Sequence, residues 1–278
     1  MTPSIRLLAL DIDGTLLDSN FRVSEDNLAA LRRARAAGVE VVLTTGRRHR
    51  FALPIAALFG FDLWLISSNG AITRSSAGEL FHRDLMPVEV ARALLRHMEP
   101  CREFAVVTYD LEDRGALLIH SGEALHASVG RWLDKNAPYI REVPSLSEAI
   151  VSDPVQVMFC GDIAQMRQAE SHLAGFPRLA EVNVLKTEYQ ERNLSMLDIL
   201  NRGCSKGHAL RRWAEHRRLA REQVMAIGDN YNDVEMLEFA GLPFIMENAC
   251  DELKQNGWRL TSSNDESGVA AALASVGL

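Results

Sequence analysis

Cysteine is scarce and scattered. Cys101, Cys160, Cys204 and Cys250 show no paired ligand spacing, which argues against a disulfide framework or a zinc site and suits a reducing, cytoplasmic compartment. No apolar run approaches the length that crosses a bilayer, and the stretch up to Leu10 is too short for the core of a signal segment. Basic charge is not in excess either: 30 Lys and Arg face 37 Asp and Glu, a formal net charge of −7. Nucleic acid therefore meets no matching field. The one basic cluster, Arg211, Arg212, Arg217, Arg218 and Arg221, falls on an expected helix and reads as a solvated face. Repeats and low-complexity tracts are also missing. What is present is the composition of a folded protein, 47% hydrophobic and 24% charged over 278 residues, enough for one large α/β domain or two smaller ones.

Leu7-Leu8-Ala9-Leu10 is an unbroken apolar run, the pattern of a strand covered on both faces in a parallel sheet. Ser24 then offers a helix N-cap, Leu28, Leu31 and Ala34 recur at helical spacing, and Gly38 offers the stop. Residues 39–43 and 63–66 predict two more buried strands, so strand and helix alternate as in an open α/β sheet. The rhythm returns late in the chain, with helix 205–218, strand 224–227, helix 234–240 and short strands at 243–246 and 258–260. Between these halves lies another pattern: helix 87–98, a hairpin of 104–109 with 116–120, helix 124–136, strand 155–160, helix 164–174, and strand 182–185 paired with 195–200. The expected organisation is an α/β fold, a Rossmann-like parallel-sheet core at 1–83 and 203–278 with an α+β domain inserted at 84–202.

Asp11-Ile12-Asp13-Gly14-Thr15 follows the first strand, at the carboxyl edge where open sheets bind ligands. A spacing of two puts both carboxylates on one side, and two close carboxylates call for a cation between or beside them. A hard divalent ion with oxygen ligands suits that need, although Asp13-Gly14 also suits a simple turn. Gly228-Asp229-Asn230-Tyr231-Asn232-Asp233 repeats the logic after another buried strand, with Asp229 and Asp233 four residues apart. Asp233 would also serve a helix start through the dipole. Thr44-Thr45-Gly46-Arg47 collects a hydroxyl, backbone amides and a guanidinium, all fit for phosphoryl oxygens. Lys206 opens a helix, the wrong end for a cation, and a local rule broken without gain points to function.

In this order the segments resemble the haloacid-dehalogenase superfamily of phosphohydrolases. Asp11-Ile12-Asp13-Gly14-Thr15 matches its first motif, Thr45-Gly46-Arg47 the second, Lys206 the third and Gly228 to Asp233 the fourth. Ser67-Ser68-Asn69-Gly70-Ala71, Glu247-Asn248-Ala249 and the stretch 263–269 narrow the likeness to the Cof-like branch, which carries a type IIB cap between the second and third motifs. Glu247 departs from the glycine usual before Asn-Ala and adds charge and bulk there.

The resemblance implies a phosphatase for small phosphorylated metabolites, sugar phosphates or similar phosphomonoesters, with neither nucleic acid nor membrane as partner. By it Asp11 is the nucleophile that becomes an aspartyl phosphate, and Asp13 the general acid and base. Thr45, the Gly46 amide and Lys206 grip the phosphoryl oxygens, and Asn232 orients the phosphate or Lys206. Mg2+ is held by Asp11, the Asp13 backbone carbonyl and Asp229, with Asp233 supporting its water shell. Arg47, Arg48 and the cap segment 186–192 are candidates for substrate contact, the last also reading as a solvated hairpin turn. A phosphoryl transferase or phosphomutase on the same scaffold is the alternative, and a non-catalytic phosphate-binding module a more distant one. No signal specifies the substrate or the oligomeric state.

Overall fold

The computed structural model describes residues 5–278, the side chains at 124 and 126–128 excepted. The first four residues, part of the stretch read as too short for a signal segment, lie outside the described residues. Two compact units divide the chain, Met1–Arg83 with Ser205–Leu278, and Asp84–Cys204. In chain order the strands are β1 (Leu7–Asp11), β2 (Glu40–Thr44), β3 (Trp64–Ser67), β4 (Ile72–Ser75), β5 (Leu80–Arg83), β6 (Ala105–Thr108), β7 (Leu117–Ile119), β8 (Ile140–Glu142), β9 (Gln156–Gly161), β10 (Val182–Tyr189), β11 (Leu194–Asn201), β12 (Val224–Gly228), β13 (Leu242–Met246) and β14 (Arg259–Thr261).

The first unit holds an eight-stranded sheet in the order β14-β13-β12-β1-β2-β3-β4-β5. From β14 to β3 it is parallel, and β4 and β5 add an antiparallel edge. The unbroken apolar run of β1 follows from its place between β12 and β2. Leu8 and Leu10 pack on one face with Leu28 and Leu31 of the helix Glu25–Ala36 and Val269 of the helix Gly268–Ala274. Leu7 and Ala9 pack on the other with Leu210 and Trp213 of the helix Lys206–His216 and with Met236 and Leu237. Each fully buried leucine contributes about 2 kcal/mol.

Local signals mark the helix ends as the sequence predicts. Ser24 accepts a hydrogen bond from the Asn27 amide at 3.2 Å, a cap worth about 1 kcal/mol. At the other end Gly38 (φ +88°) donates to the Arg35 carbonyl and Val39 to that of Ala34, each at 3.0 Å. This closing pair satisfies the last carbonyls and needs a residue free to adopt positive φ.

The second unit holds a six-stranded sheet in the order β10-β11-β9-β6-β7-β8. Helices Val88–His97 and Ile163–Leu173 cover one face, and Gly122–Asn136 packs on the other through Leu125 and Leu133. The anticipated pairing of β6 with β7 is present, and β10 runs antiparallel to β11 over a longer register than its apolar residues indicate. The segment 186–192 is therefore strand as far as Tyr189, and the reversal comes at Gln190–Arg192 and Asn193 (φ +44°). The hairpin of β4 and β5 was not anticipated, because β4 is buried yet largely polar and β5 is short and half-exposed, so neither shows a clean alternation. Among the described residues no helix is long and apolar enough to cross a membrane, and all four cysteines are free.

Candidate active site

β1 ends on Asp11, β2 on Thr44 directly opposite it, and β12 on Gly228, so three neighbouring parallel strands deliver their next residues to one sheet edge. Asp11, Asp229 and Asp233 each place a carboxylate oxygen within 4.8 Å of the others. Lys206 Nζ lies between two of them, donating to Asp11 Oδ1 at 2.6 Å and to Asp233 Oδ1 at 2.7 Å. Exposure is 1% for Lys206, 4% for Asp11 and 0% for Asp233. The helix-dipole anomaly at Lys206 thus has its reason: the ammonium faces two buried carboxylates rather than solvent.

Asp233 does more than pair with Lys206. Its second oxygen accepts from the Asp229 and Asn230 amides, both at 3.1 Å, which folds the Asp229–Asp233 loop back on itself. Thr15 donates to Asp229 Oδ1 at 2.8 Å. Gly14, at φ +87°, lets the chain pass so close that a Cβ would stand 2.3 Å from Asp229 Oδ2. Asn248 and Asn264 brace the same loop from outside, donating to the Gly14 and Leu17 carbonyls at 2.8 Å.

Electrostatics with protein charges alone are unfavourable. Burial, then the charge of Asp233, pushes the Asp11 carboxyl from 3.8 up to about 7 against the lowering pull of Lys206. Asp229 is likewise pushed well above its ordinary range, by burial first and then by Asp11 and Asp233. Burial would strip Lys206 of its proton, but Asp11 and Asp233 outweigh it and hold the ammonium more firmly than usual. With all three carboxylates ionised, one ammonium leaves two net negative charges, and each uncompensated buried ion costs several kcal/mol. An all-oxygen cluster with that deficit fits a hard divalent cation, with Asp11, Asp229 and Asp233 as the residues able to hold it.

The other expected residues fall around this cluster. The Asp13 side chain is outside it, gripped by Arg47 Nε at 2.7 Å and Nη2 at 2.5 Å. Thr45 is fully buried, and its hydroxyl accepts from the Arg47 amide at 3.1 Å. Asn232 donates to Asn69 Oδ1 at 3.0 Å, and the Asn69 amide also lies against Gly46, where a Cβ would come within 3.2 Å of Oδ1. The Arg48 guanidinium sits over Phe51, and the Tyr231 hydroxyl donates to Glu252 at 2.9 Å. Glu247 is exposed, and its carbonyl accepts from Lys254 at 3.2 Å. Of the basic cluster, Arg217 pairs with Glu40 at 2.7 Å and Arg211 lies over Phe239. Sequence reasoning missed the parts played by Thr15 and Asn69. A threonine one step after Asp-Gly and an asparagine before a glycine were the available signals.

The family model described as haloacid dehalogenase-like hydrolase matches residues 8–273. Phosphatase YwpJ of Bacillus subtilis is 29% identical over 283 residues, covering 96% of this chain and 98% of that protein. The 5-amino-6-(5-phospho-D-ribitylamino)uracil phosphatase YwtE of the same organism is 30% identical over 292 residues, covering 96% of each. A solved haloacid dehalogenase-like hydrolase from B. subtilis superposes with a TM-score of 0.80 at 27% identity, covering 97% of this chain and 99% of that one.

Proposed function

The chain belongs to the haloacid dehalogenase-like hydrolase family, and from that premise we propose that it is a magnesium-dependent phosphatase of small phosphorylated metabolites. The observation that carries the reading is the ammonium of Lys206 held between Asp11 and Asp233 inside a buried cluster of three carboxylates. A cluster with no purpose beyond stability would not concentrate so much charge out of water.

In this reading an Asp11 oxygen forms a bond to phosphorus as the bond to the leaving oxygen breaks. The electron pair passes to that oxygen, which takes a proton from Asp13. Asp13 then removes a proton from water, which attacks the aspartyl phosphate, releasing inorganic phosphate and restoring Asp11. Thr45, the Gly46 amide and Lys206 steady the phosphoryl oxygens, where charge is spread in the transition state. Mg2+, when bound, supplies positive charge that screens nucleophile from substrate. The Asp84–Cys204 unit is read as the cap that selects the leaving group.

The relatives direct the choice of substrates. HMP-PP, acted on by an Escherichia coli relative 29% identical over 249 residues, and 5-amino-6-(5-phospho-D-ribitylamino)uracil join sugar phosphates at the head of the panel. Four free cysteines fit a cytoplasmic setting. The test is phosphate release across that panel with Mg2+ and with chelator. Release that depends on the ion and vanishes in Asp11→Asn supports the reading. A panel without turnover, or an Asp11→Asn protein with full turnover, overturns it.

A further inference from the structure

Two side-chain-bearing residues in succession, Ser68 and Asn69, adopt left-handed backbone angles (φ +49° and +53°), and Gly70 follows at φ +104°. Such conformations are disfavoured for L-residues, asparagine least among them, and persist only where the surroundings over-determine them. Here the turn is held between two other stretches of chain, 45–47 and 205–206. The Ser68 amide donates to the Arg47 carbonyl at 2.8 Å and the Asn69 amide to the Thr45 carbonyl at 3.0 Å. Gly70 lies so close to the helix that carries Lys206 that a Cβ would stand 2.2 Å from the Ser205 carbonyl oxygen and 3.0 Å from the Lys206 nitrogen.

Asn69 itself is 1% exposed and touches two groups of the site through its side chain, Gly46 by contact and Asn232 by hydrogen bond. Its backbone bond has a further effect. A trans peptide is planar, with C=O and N–H pointing opposite ways. Fixing the Thr45 carbonyl on Asn69 therefore fixes the Gly46 N–H in the opposite direction. We propose that Asn69 is a positioning residue of the phosphate grip, its side chain holding the Asn232 amide and bearing on Gly46 while its backbone bond orients the Gly46 peptide. The inference rests on the phosphatase reading of this site, and adds a part that the four motif segments lack.

The test is Asn69→Gly, which keeps the left-handed turn and the backbone bond and removes only the side chain. Titration calorimetry with inorganic phosphate in the presence of Mg2+, and with Mg2+ alone, separates grip from cation cluster. The expected result is phosphate affinity about tenfold weaker, Mg2+ affinity within about twofold of wild type, and a thermal midpoint lower by no more than about 4 °C. Asn232→Ala weakens phosphate similarly, and Asn69→Gly adds little in that background. Wild-type phosphate affinity in Asn69→Gly, or equal loss of phosphate and Mg2+ affinity, overturns the proposal. Should Asn69→Gly fail to fold, Asn232→Ala decides alone, and unchanged phosphate affinity there overturns it. If wild type binds phosphate yet hydrolyses no ester, the phosphatase reading fails while the positioning role is still decided by calorimetry.

Discussion

Arg47 grips the Asp13 carboxylate with both arms of its guanidinium, beside the Asp11–Asp229–Asp233 cluster and near enough for the Asp13 charge to act on Asp11. A bidentate fork fixes carboxylate orientation as a lysine cannot. If Asp13 protonates the leaving oxygen, losing the fork harms poor leaving groups most. For Arg47→Ala, kcat/KM for an alkyl phosphate is expected to fall about tenfold more than that for p-nitrophenyl phosphate, whose leaving group needs no proton. Equal losses on both substrates would assign Arg47 to substrate contact instead.

Lys206 is fully buried between two carboxylates. Lys206→Ala removes the positive charge and leaves both acids uncompensated. Stability measured by urea denaturation with chelator present should drop by about 3–5 kcal/mol, and kcat/KM by about 10²–10³-fold. A larger thermal gain from Mg2+ than in wild type is the accompanying sign.

Proton and cation compete for the same cluster. Burial and the Asp233 charge push the folded Asp11 carboxyl up to about 7 from 3.8 in the unfolded chain, so between those values the native state binds more protons than the unfolded one. Its contribution to stability is complete below 3.8 and is lost as pH rises through about 7. A divalent cation replaces the lost proton. The rise in melting temperature produced by Mg2+ should therefore be larger at roughly pH 8 than at roughly pH 5.5. An equal rise at both values would contradict the competition.

Gly14 permits the first loop to approach Asp229 more closely than any side chain allows. Gly14→Ala brings both a disfavoured φ and a Cβ at 2.3 Å from a carboxylate oxygen. Mg2+ affinity by calorimetry is expected to fall about 10–100-fold, with far-ultraviolet circular dichroism retained because β1 and its neighbours are untouched.

Much of the core was legible because its signals are local. The apolar run at Leu7–Leu10, the cap at Ser24 and the stop at Gly38 each act within a few residues, and each produced the expected element. The paired acids at strand ends were legible for a related reason, since an α/β sheet gathers such ends on one edge. What escaped depends on residues far apart. Asp233 is expected at the ion or as a helix-start acid, but nothing nearby announces Lys206 as its partner. Asn69 falls in a stretch that matches the branch but shows locally only a turn signal, and its bond to Asn232 spans 163 positions. The strands Ile72–Ser75 and Leu80–Arg83 were missed because the buried but largely polar residues of the first and the half-exposed residues of the second carry little periodicity, their place being set by the edge of β3.

The position of β1 has a consequence for how the protein is made. Leu7 pairs with Glu40 on one side and with Val224 on the other, a separation of 217 residues (224 minus 7). At ribosomal speeds of roughly 5–20 residues per second, the second partner emerges roughly 10–40 s after the first strand. Throughout that interval the nascent chain presents one hydrogen-bonding edge of a fully buried strand without the neighbour that finally seals it. Holding such an edge from other chains is work for chaperones, so yield in the cell should follow chaperone supply more closely than the finished fold's melting temperature suggests.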